Sequence, residues 1–202
     1  MNVLLLGSSS QSRQRLLSEA NIPFVMIGHT ADETACDWGL PLQKLVESIA
    51  LSKMEHVVLP QGEEGQQCFV LTADTLSQDI YGNITGKPID REDARQKIKD
   101  SRGRTYTGTA FCLDKRIYRA GAWQVEHRIV RFVGAHCQFI VPDNWVENYL
   151  ENSLGMQASG AIAIEEYGGL FLKEVQGSYT TIVGLPLFEL REALSEVGFF
   201  AQ

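Results

Sequence analysis

A short apolar run, Val3–Leu6, closes on Gly7 and leads into Ser8-Ser9-Ser10-Gln11-Ser12-Arg13. The pattern reads as a buried strand, a hydroxyl-rich turn and a helix that opens with an arginine. Free backbone N–H groups at a helix start favour an anion, and a guanidinium can hold phosphate oxygens bidentately. Ser8, Ser10 and Arg13 are therefore candidate phosphate contacts. The competing reading is a serine-rich turn with an N-cap and a solvated arginine. No GK[ST] follows, so this is not a Walker loop.

Lys53 is the second candidate. With Leu42 at zero on a helical wheel, Lys53 falls at roughly 20°, at about 100° per residue. It lies between Val46 and Ile49 on an otherwise apolar face. An ammonium there needs an anion or a route to water, so phosphate binding competes with snorkelling. Asp74 follows the apolar run Cys68–Ala73, at the carboxyl end of an expected strand, where α/β sheets gather ligands. Its carboxylate could take a proton from water or bind a divalent cation, or could simply close a turn. Thr85-Gly86-Lys87-Pro88 offers a cation beside a glycine that lets backbone approach a ligand, or else an ordinary exposed turn. Asp32-Glu33 could share a metal with Asp74, or be solvated. The histidines, His29, His56, His127 and His136, have no metal-like spacing.

These residues need elements to hold them. Helical periodicity is clearest over Leu42–Val58, with Leu42, Leu45, Val46, Ile49 and Ala50 on one face. Further helices are expected over Arg13–Ala20, from an Asp90 cap through Ala94 and Ile98, from an Asp143 cap through Val146, Tyr149 and Leu150, and from Pro186 to Gly198. Strands are expected at Pro23–Ile27, Cys68–Ala73, Thr105–Leu113, Trp123–Val141 and Leu170–Val175. Tyr81-Gly82-Asn83 marks a hairpin turn. Strands and helices alternate, with hairpins between, so the expected class is α/β with a mixed sheet in one domain spanning 1–202.

The chain has 202 residues, 44% hydrophobic and 21% charged, with a formal net charge of -7. That balance argues against a nucleic-acid polymer but allows a small phosphorylated ligand at a local basic cluster. The apolar start is too short for a signal h-region or a membrane span. Cys36, Cys68, Cys112 and Cys137 are scattered with no CxxC, so a zinc site is not expected, and reduced thiols suit a cytoplasmic protein.

Taken in order, these motifs resemble the Maf family of nucleotide pyrophosphatases over nearly the whole chain. The family's opening Ser-x-Ser-Pro-Arg-Arg-x-x-Leu-Leu element is met by Ser8, Ser10, Arg13, Leu16 and Leu17. Its Asp-Glu step is met by Asp32-Glu33, its Ala-x-x-Lys helix by Ala50 and Lys53, and its Ala-Asp-Thr strand end by Ala73-Asp74-Thr75. Gly86-Lys87-Pro88, and near the C-terminus Glu174–Tyr179 and Val183–Leu187, complete the order. The resemblance implies a strongly twisted mixed sheet with flanking helices and two lobes around a central cleft. It also implies hydrolysis of a nucleoside triphosphate between its α and β phosphates, giving the monophosphate and pyrophosphate with Mg²⁺ or Mn²⁺. On it, Asp74 is the catalytic carboxylate, Arg13, Lys53 and Lys87 hold phosphate, Glu33 and Asp74 hold the metal, and a homodimer is expected.

Departures fall where base choice is made. The family's Pro-Arg-Arg is Gln11-Ser12-Arg13 here, its Gly-x-x-His element is missing, and its Ile-Gln-Gly is Ile164-Glu165-Glu166. Family members acting on dTTP and UTP carry Arg, Thr and Gln at three specificity positions, and those acting on 7-methyl-GTP carry Trp, Gln and Glu. This chain has Ser12, Thr75 and Glu165. A carboxylate only accepts hydrogen bonds, and a guanine edge offers two adjacent donors, whereas uracil and thymine offer one donor between two acceptors. Glu165 therefore points toward 7-methyl-GTP or another guanine nucleotide. The alternatives are dTTP/UTP hydrolysis, and a catalytically impaired nucleotide-binding regulator of cell division.

Overall fold

The structure, a computed structural model, describes residues 2–201. Its sheet is seven-stranded and mixed, in the order β2-β1-β3-β5-β6-β7, with β4 paired to β3. β1 (Leu4–Leu6) lies parallel to both β2 (Phe24–Met26) and β3 (Gln67–Gln78), with Leu4 opposite Phe24 on one side and Phe69 on the other. A strand flanked by parallel neighbours is covered on both faces and reads as a continuous apolar run. Leu4 and Leu6 are accordingly fully buried. β4 (Ile84–Thr85), β5 (Gly103–Arg119), β6 (Ala122–Phe139) and β7 (Leu172–Gln176) follow, and the β3–β4 and β6–β7 pairs are antiparallel.

The helices are α1 (Gln11–Glu19), α2 (Leu42–Glu55), α3 (Arg91–Asp100), α4 (Val146–Asn152), α5 (Tyr179–Val183) and α6 (Leu187–Glu196). α2 buries the whole expected face, Leu42, Leu45, Val46, Ile49 and Ala50, together with Lys53 and Met54. Ser10 caps α1 by accepting the Arg13 N–H, and Asp90 caps α3 by accepting the Asp93 N–H. Among the described residues no helix is long and apolar enough to cross a membrane.

The chain divides into two compact units. One comprises 2–74, 110–132 and 184–201 of the described residues, and the other 75–109 and 133–183. The first holds β1, β2, α1, α2 and α6; the second holds β4, α3, α4, β7 and α5. β3, β5 and β6 each contribute residues to both.

Several expected boundaries moved. The third strand runs on to Gln78, so Asp74 sits inside a strand and not after its end. Thr75-Leu76-Ser77 alternates in a way that extends pairing, and Ser77 faces Thr85 across the β4 turn. α2 stops at Glu55, three residues before Val58: the His56 N–H turns to the Lys53 carbonyl, and Val57 leaves the helix to bridge His29. Asp143 does not cap α4: it opens a 3-10 turn, Asp143–Trp145, and pairs with Arg102 at 2.5 Å. Leu170 belongs to a 3-10 segment, Glu166–Phe171, that precedes β7. α5 was not foreseen; its five residues are too few to show a helical period.

Candidate functional site

Three segments of the first unit place charge at one point. α2 delivers Lys53, β3 delivers Asp74, and the 3-10 turn Glu33–Ala35 delivers Glu33. The Lys53 ammonium lies 2.7 Å from Asp74 Oδ1 and 3.0 Å from Glu33 Oε1. Lys53 does not snorkel: only 5% of it is exposed. Its stem packs with the apolar face of α2 and its head finds two carboxylates, which is what a buried ammonium requires.

Asp74 is 7% exposed, and its second oxygen, Oδ2, is buried with no hydrogen-bond partner. Burial pushes its carboxyl above the usual carboxylate range. Lys53 and Arg13 pull it back, and Glu33 pushes it further up. An isolated buried carboxylate oxygen is costly unless something is meant to reach it. Such a group suits the acceptance of a proton from water.

Arg13 is also buried, at 7% exposure, contrary to the solvated-arginine alternative. Its Nε donates to the Gly184 carbonyl at 2.8 Å and its Nη1 to Ser8 Oγ at 3.0 Å. Ser8 Oγ accepts from the Ser10 N–H as well, at 3.3 Å, so the serine turn and the guanidinium form one structure. Burial holds the Arg13 pKa below its usual value, while Asp74 and Glu33 raise it. Gly7 enables the close approach of this turn to β3: a Cβ there would meet Thr72 Cγ2 at 2.9 Å. The Gly184 contact was not foreseen as a site feature, although Val183–Leu187 is among the segments that carry the family resemblance. Gly184 has φ of 124°, a conformation that favours glycine.

Asp32 and Glu33 separate in role. Asp32 closes its own turn, accepting from the Thr34 N–H at 2.9 Å and the Thr34 hydroxyl at 2.6 Å. Ser12 is half-buried in the first turn of α1.

Thr75, Lys87 and Glu165 belong to the second unit. Lys87 is exposed in a bend after β4. That bend is anchored: Gly86 O accepts from the Gly160 N–H at 3.0 Å, and Ser159 Oγ donates to Thr85 O at 2.5 Å while accepting the Ser77 N–H at 3.0 Å. Thr75 Oγ1 lies 2.8 Å from Thr109 Oγ1, whose hydroxyl donates to Thr181 O at 2.7 Å. Glu165 is 5% exposed, so the carboxylate singled out for base choice is a buried one. The site residues thus fall as two groups, Ser8, Ser10, Arg13, Glu33, Lys53 and Asp74 in one unit and Thr75, Lys87 and Glu165 in the other.

The sequence profile described as Maf-like protein matches residues 3–197. The chain belongs to the Maf family. Among its Maf relatives, a dTTP/UTP pyrophosphatase of Halalkalibacterium halodurans is 32% identical over 202 residues, covering 98% of each chain. A nucleoside triphosphate pyrophosphatase of a Synechococcus species is 30% identical over 200 residues, covering 97% of this chain and 94% of its own. A solved HAM1 protein from Coxiella burnetii aligns over 97% of this chain and all of its own, with a TM-score of 0.47 and 12% identity.

Proposed function

We propose that this Maf protein is a nucleoside triphosphate pyrophosphatase that cuts between the α and β phosphates. The observation that carries the reading is the buried Asp74 carboxylate, held on one oxygen by Lys53 and left without a partner on the other, beside a buried Arg13. Arg13 and Lys53 neutralise phosphate oxygens. Asp74 Oδ2 accepts a proton from a water, whose oxygen forms the new bond to the α phosphorus. The bond to the bridging oxygen breaks, and pyrophosphate leaves with its charge matched by the cations. Fixed, desolvated charge of this kind supplies most of the acceleration in phosphoryl chemistry.

Among the described residues no group of three or more His, Cys, Asp or Glu side chains is placed to hold a metal unaided. A divalent magnesium-type ion needs only one or two carboxylates when phosphate oxygens and water complete its shell. Glu33, half-exposed, and Asp74 beside it on the shared lysine are the one or two carboxylates that such a donor set needs. Bound there, Mg²⁺ or Mn²⁺ would neutralise phosphate charge. The assignment of Lys87 to phosphate, like that of a homodimer, rests on the family resemblance; a Lys87→Gln variant and light scattering test them.

For the base, the reading is 7-methyl-GTP or a related guanine nucleotide, supported by the buried carboxylate of Glu165. A second reading, dTTP or UTP, is favoured by the names of the relatives just described. Pyrophosphate release from 7-methyl-GTP, GTP, dTTP, UTP, CTP and ITP with Mg²⁺ or Mn²⁺ separates them. Release from none of these nucleotides would refute the enzymatic reading.

A further inference from the structure

Behind the lysine, in the same unit, lies a second charged cluster that the proposed chemistry does not use. Asp114, on β5, is fully buried. Arg128, on β6, grips it bidentately, Nε to Oδ1 at 2.7 Å and Nη2 to Oδ2 at 2.8 Å. Arg116 donates from Nε to Oδ2 at 2.9 Å. The bidentate fork of Arg128 fixes its direction on the carboxylate, and Arg116 adds a second guanidinium on Oδ2.

Both arginines have a second hand, and each reaches the end of α2. Arg116 Nη2 donates to the Met54 carbonyl at 3.1 Å. Arg128 Nη1 pairs with Glu55. A helix leaves its last four carbonyls without intrahelical donors. In α2, Ser52 O meets the His56 ring, Lys53 O takes the His56 N–H at 3.2 Å, and Met54 O takes Arg116. Arg116 is thus a side-chain cap on the turn that carries Lys53. Glu55 is two residues on, about 200° around the helix, so Arg128 holds the side of that turn facing away from the Lys53 head. Gripped on adjoining residues in two directions, the turn can neither rotate nor unwind without breaking a contact to an arginine that is itself held on buried Asp114.

We propose that Asp114, Arg116 and Arg128 are positioning residues, a brace that fixes the last turn of α2 so that the Lys53 ammonium stays between Asp74 and Glu33. The proposal rests on the reading of Lys53 and Asp74 as the reacting centre. It makes the site depend on a cluster on its far side, joined to it through one helical turn.

The test combines turnover with a signal that needs no turnover. The variants are Arg116→Gln and Arg128→Gln, each alone and with Lys53→Met, plus the conservative Arg128→Lys. The first readout is the ¹⁵N–¹H resonance of the Lys53 ammonium, identified by its loss in Lys53→Met; a buried, doubly paired ammonium exchanges slowly enough to be seen. In Arg116→Gln and Arg128→Gln it should broaden or vanish, while melting curves show the fold retained. The second readout is pyrophosphate release, in which kcat should fall by about ten- to a hundredfold with a smaller change in KM, the scale of a small misplacement of a catalytic group. In the Lys53→Met background neither arginine change should reduce kcat further. Arg128→Lys, which keeps the charge but not the bidentate fork, should fall between the wild type and Arg128→Gln in both readouts, and it serves as the test if the glutamine variants do not fold. An unchanged Lys53 resonance in a folded variant overturns the brace, and so does a full additional loss of kcat on top of Lys53→Met. A wild-type protein that turns over no nucleotide, yet whose Lys53 resonance responds to the arginines, overturns the enzymatic reading and leaves the brace standing.

Discussion

Replacing Lys53 by methionine keeps most of the apolar stem of the side chain and removes its charged head. Asp74, 2.7 Å away, would lose the ammonium that holds its Oδ1 while remaining 7% exposed. At an effective dielectric constant of about 20, two unit charges at that distance attract by roughly 6 kcal/mol. Part of this is offset in the wild type by the desolvation of Lys53 itself, and removal of one partner of a buried pair costs about 3–5 kcal/mol. For a chain of this size that is a fall in melting temperature of roughly 6–20 °C. The loss has a pH signature. Asp74 already has a raised folded-state pKa from burial, and without Lys53 one of the groups pulling it down is gone, so it rises further. A carboxyl whose folded pKa lies above its unfolded value destabilises when ionised. The penalty is absent below the unfolded value, near pH 4, and grows as pH rises through the interval up to the folded one. Urea or thermal unfolding of Lys53→Met and wild type at pH 4 and pH 7.5 should therefore show a large difference at pH 7.5 and a much smaller one at pH 4. Equal losses at both pH values would mean that the lysine contributes packing and not charge, and no loss at pH 7.5 would refute the burial argument altogether.

Asp74→Asn is expected to lower kcat for pyrophosphate release by about 10²–10⁴, the usual contribution of a general base, while nucleotide affinity by calorimetry survives. Its stability should suffer less than that of Lys53→Met, because Lys53 keeps Glu33 at 3.0 Å; a larger loss in Asp74→Asn would contradict this. Glu165→Gln supplies a donor as well as an acceptor, so kcat/KM for 7-methyl-GTP relative to dTTP should drop by about tenfold or more, the order of one bidentate base contact, and an unchanged ratio would remove Glu165 from base choice. Chelation with EDTA should abolish turnover, with recovery on adding Mg²⁺ or Mn²⁺, and full activity in the chelator would exclude the cation.

Much of the secondary structure could be read locally. The α2 face was set by Leu42, Leu45, Val46, Ile49 and Ala50, and every one of them is buried. The caps Ser10 and Asp90 work as short-range hydrogen-bond chemistry says they should. Failures came where a local signal met a stronger partner elsewhere. Asp143 has the chemistry of a cap, but Arg102, 41 residues earlier, takes its carboxylate. Leu170 has strand composition, yet its segment turns as a 3-10 helix with a Glu166 φ of 49°. Asp74 reads as a strand end because the apolar run stops there, while the strand itself continues on Thr75 and Ser77, whose hydroxyls pair with Thr109 and Thr107.

The sequence by itself determined which residue types stood ready: a lysine on an apolar helical face, an aspartate on a buried strand, an arginine behind a serine turn, and their order along a Maf chain. Periodicity and capping act over three or four residues, so they are written in any short window of sequence. Only the tertiary structure decided what the charges met. Lys53 and Asp74 are 21 residues apart and Arg13 and Gly184 are 171 apart. The choice between a snorkelling lysine and a buried ion pair therefore depended on which strand packed across from α2. Likewise nothing in the spacing of Glu55, Asp114, Arg116 and Arg128 announced a common cluster. They meet because β5 and β6 pair in the sheet and carry Asp114, Arg116 and Arg128 to the end of α2, and a fully buried carboxylate has to be met there by cations.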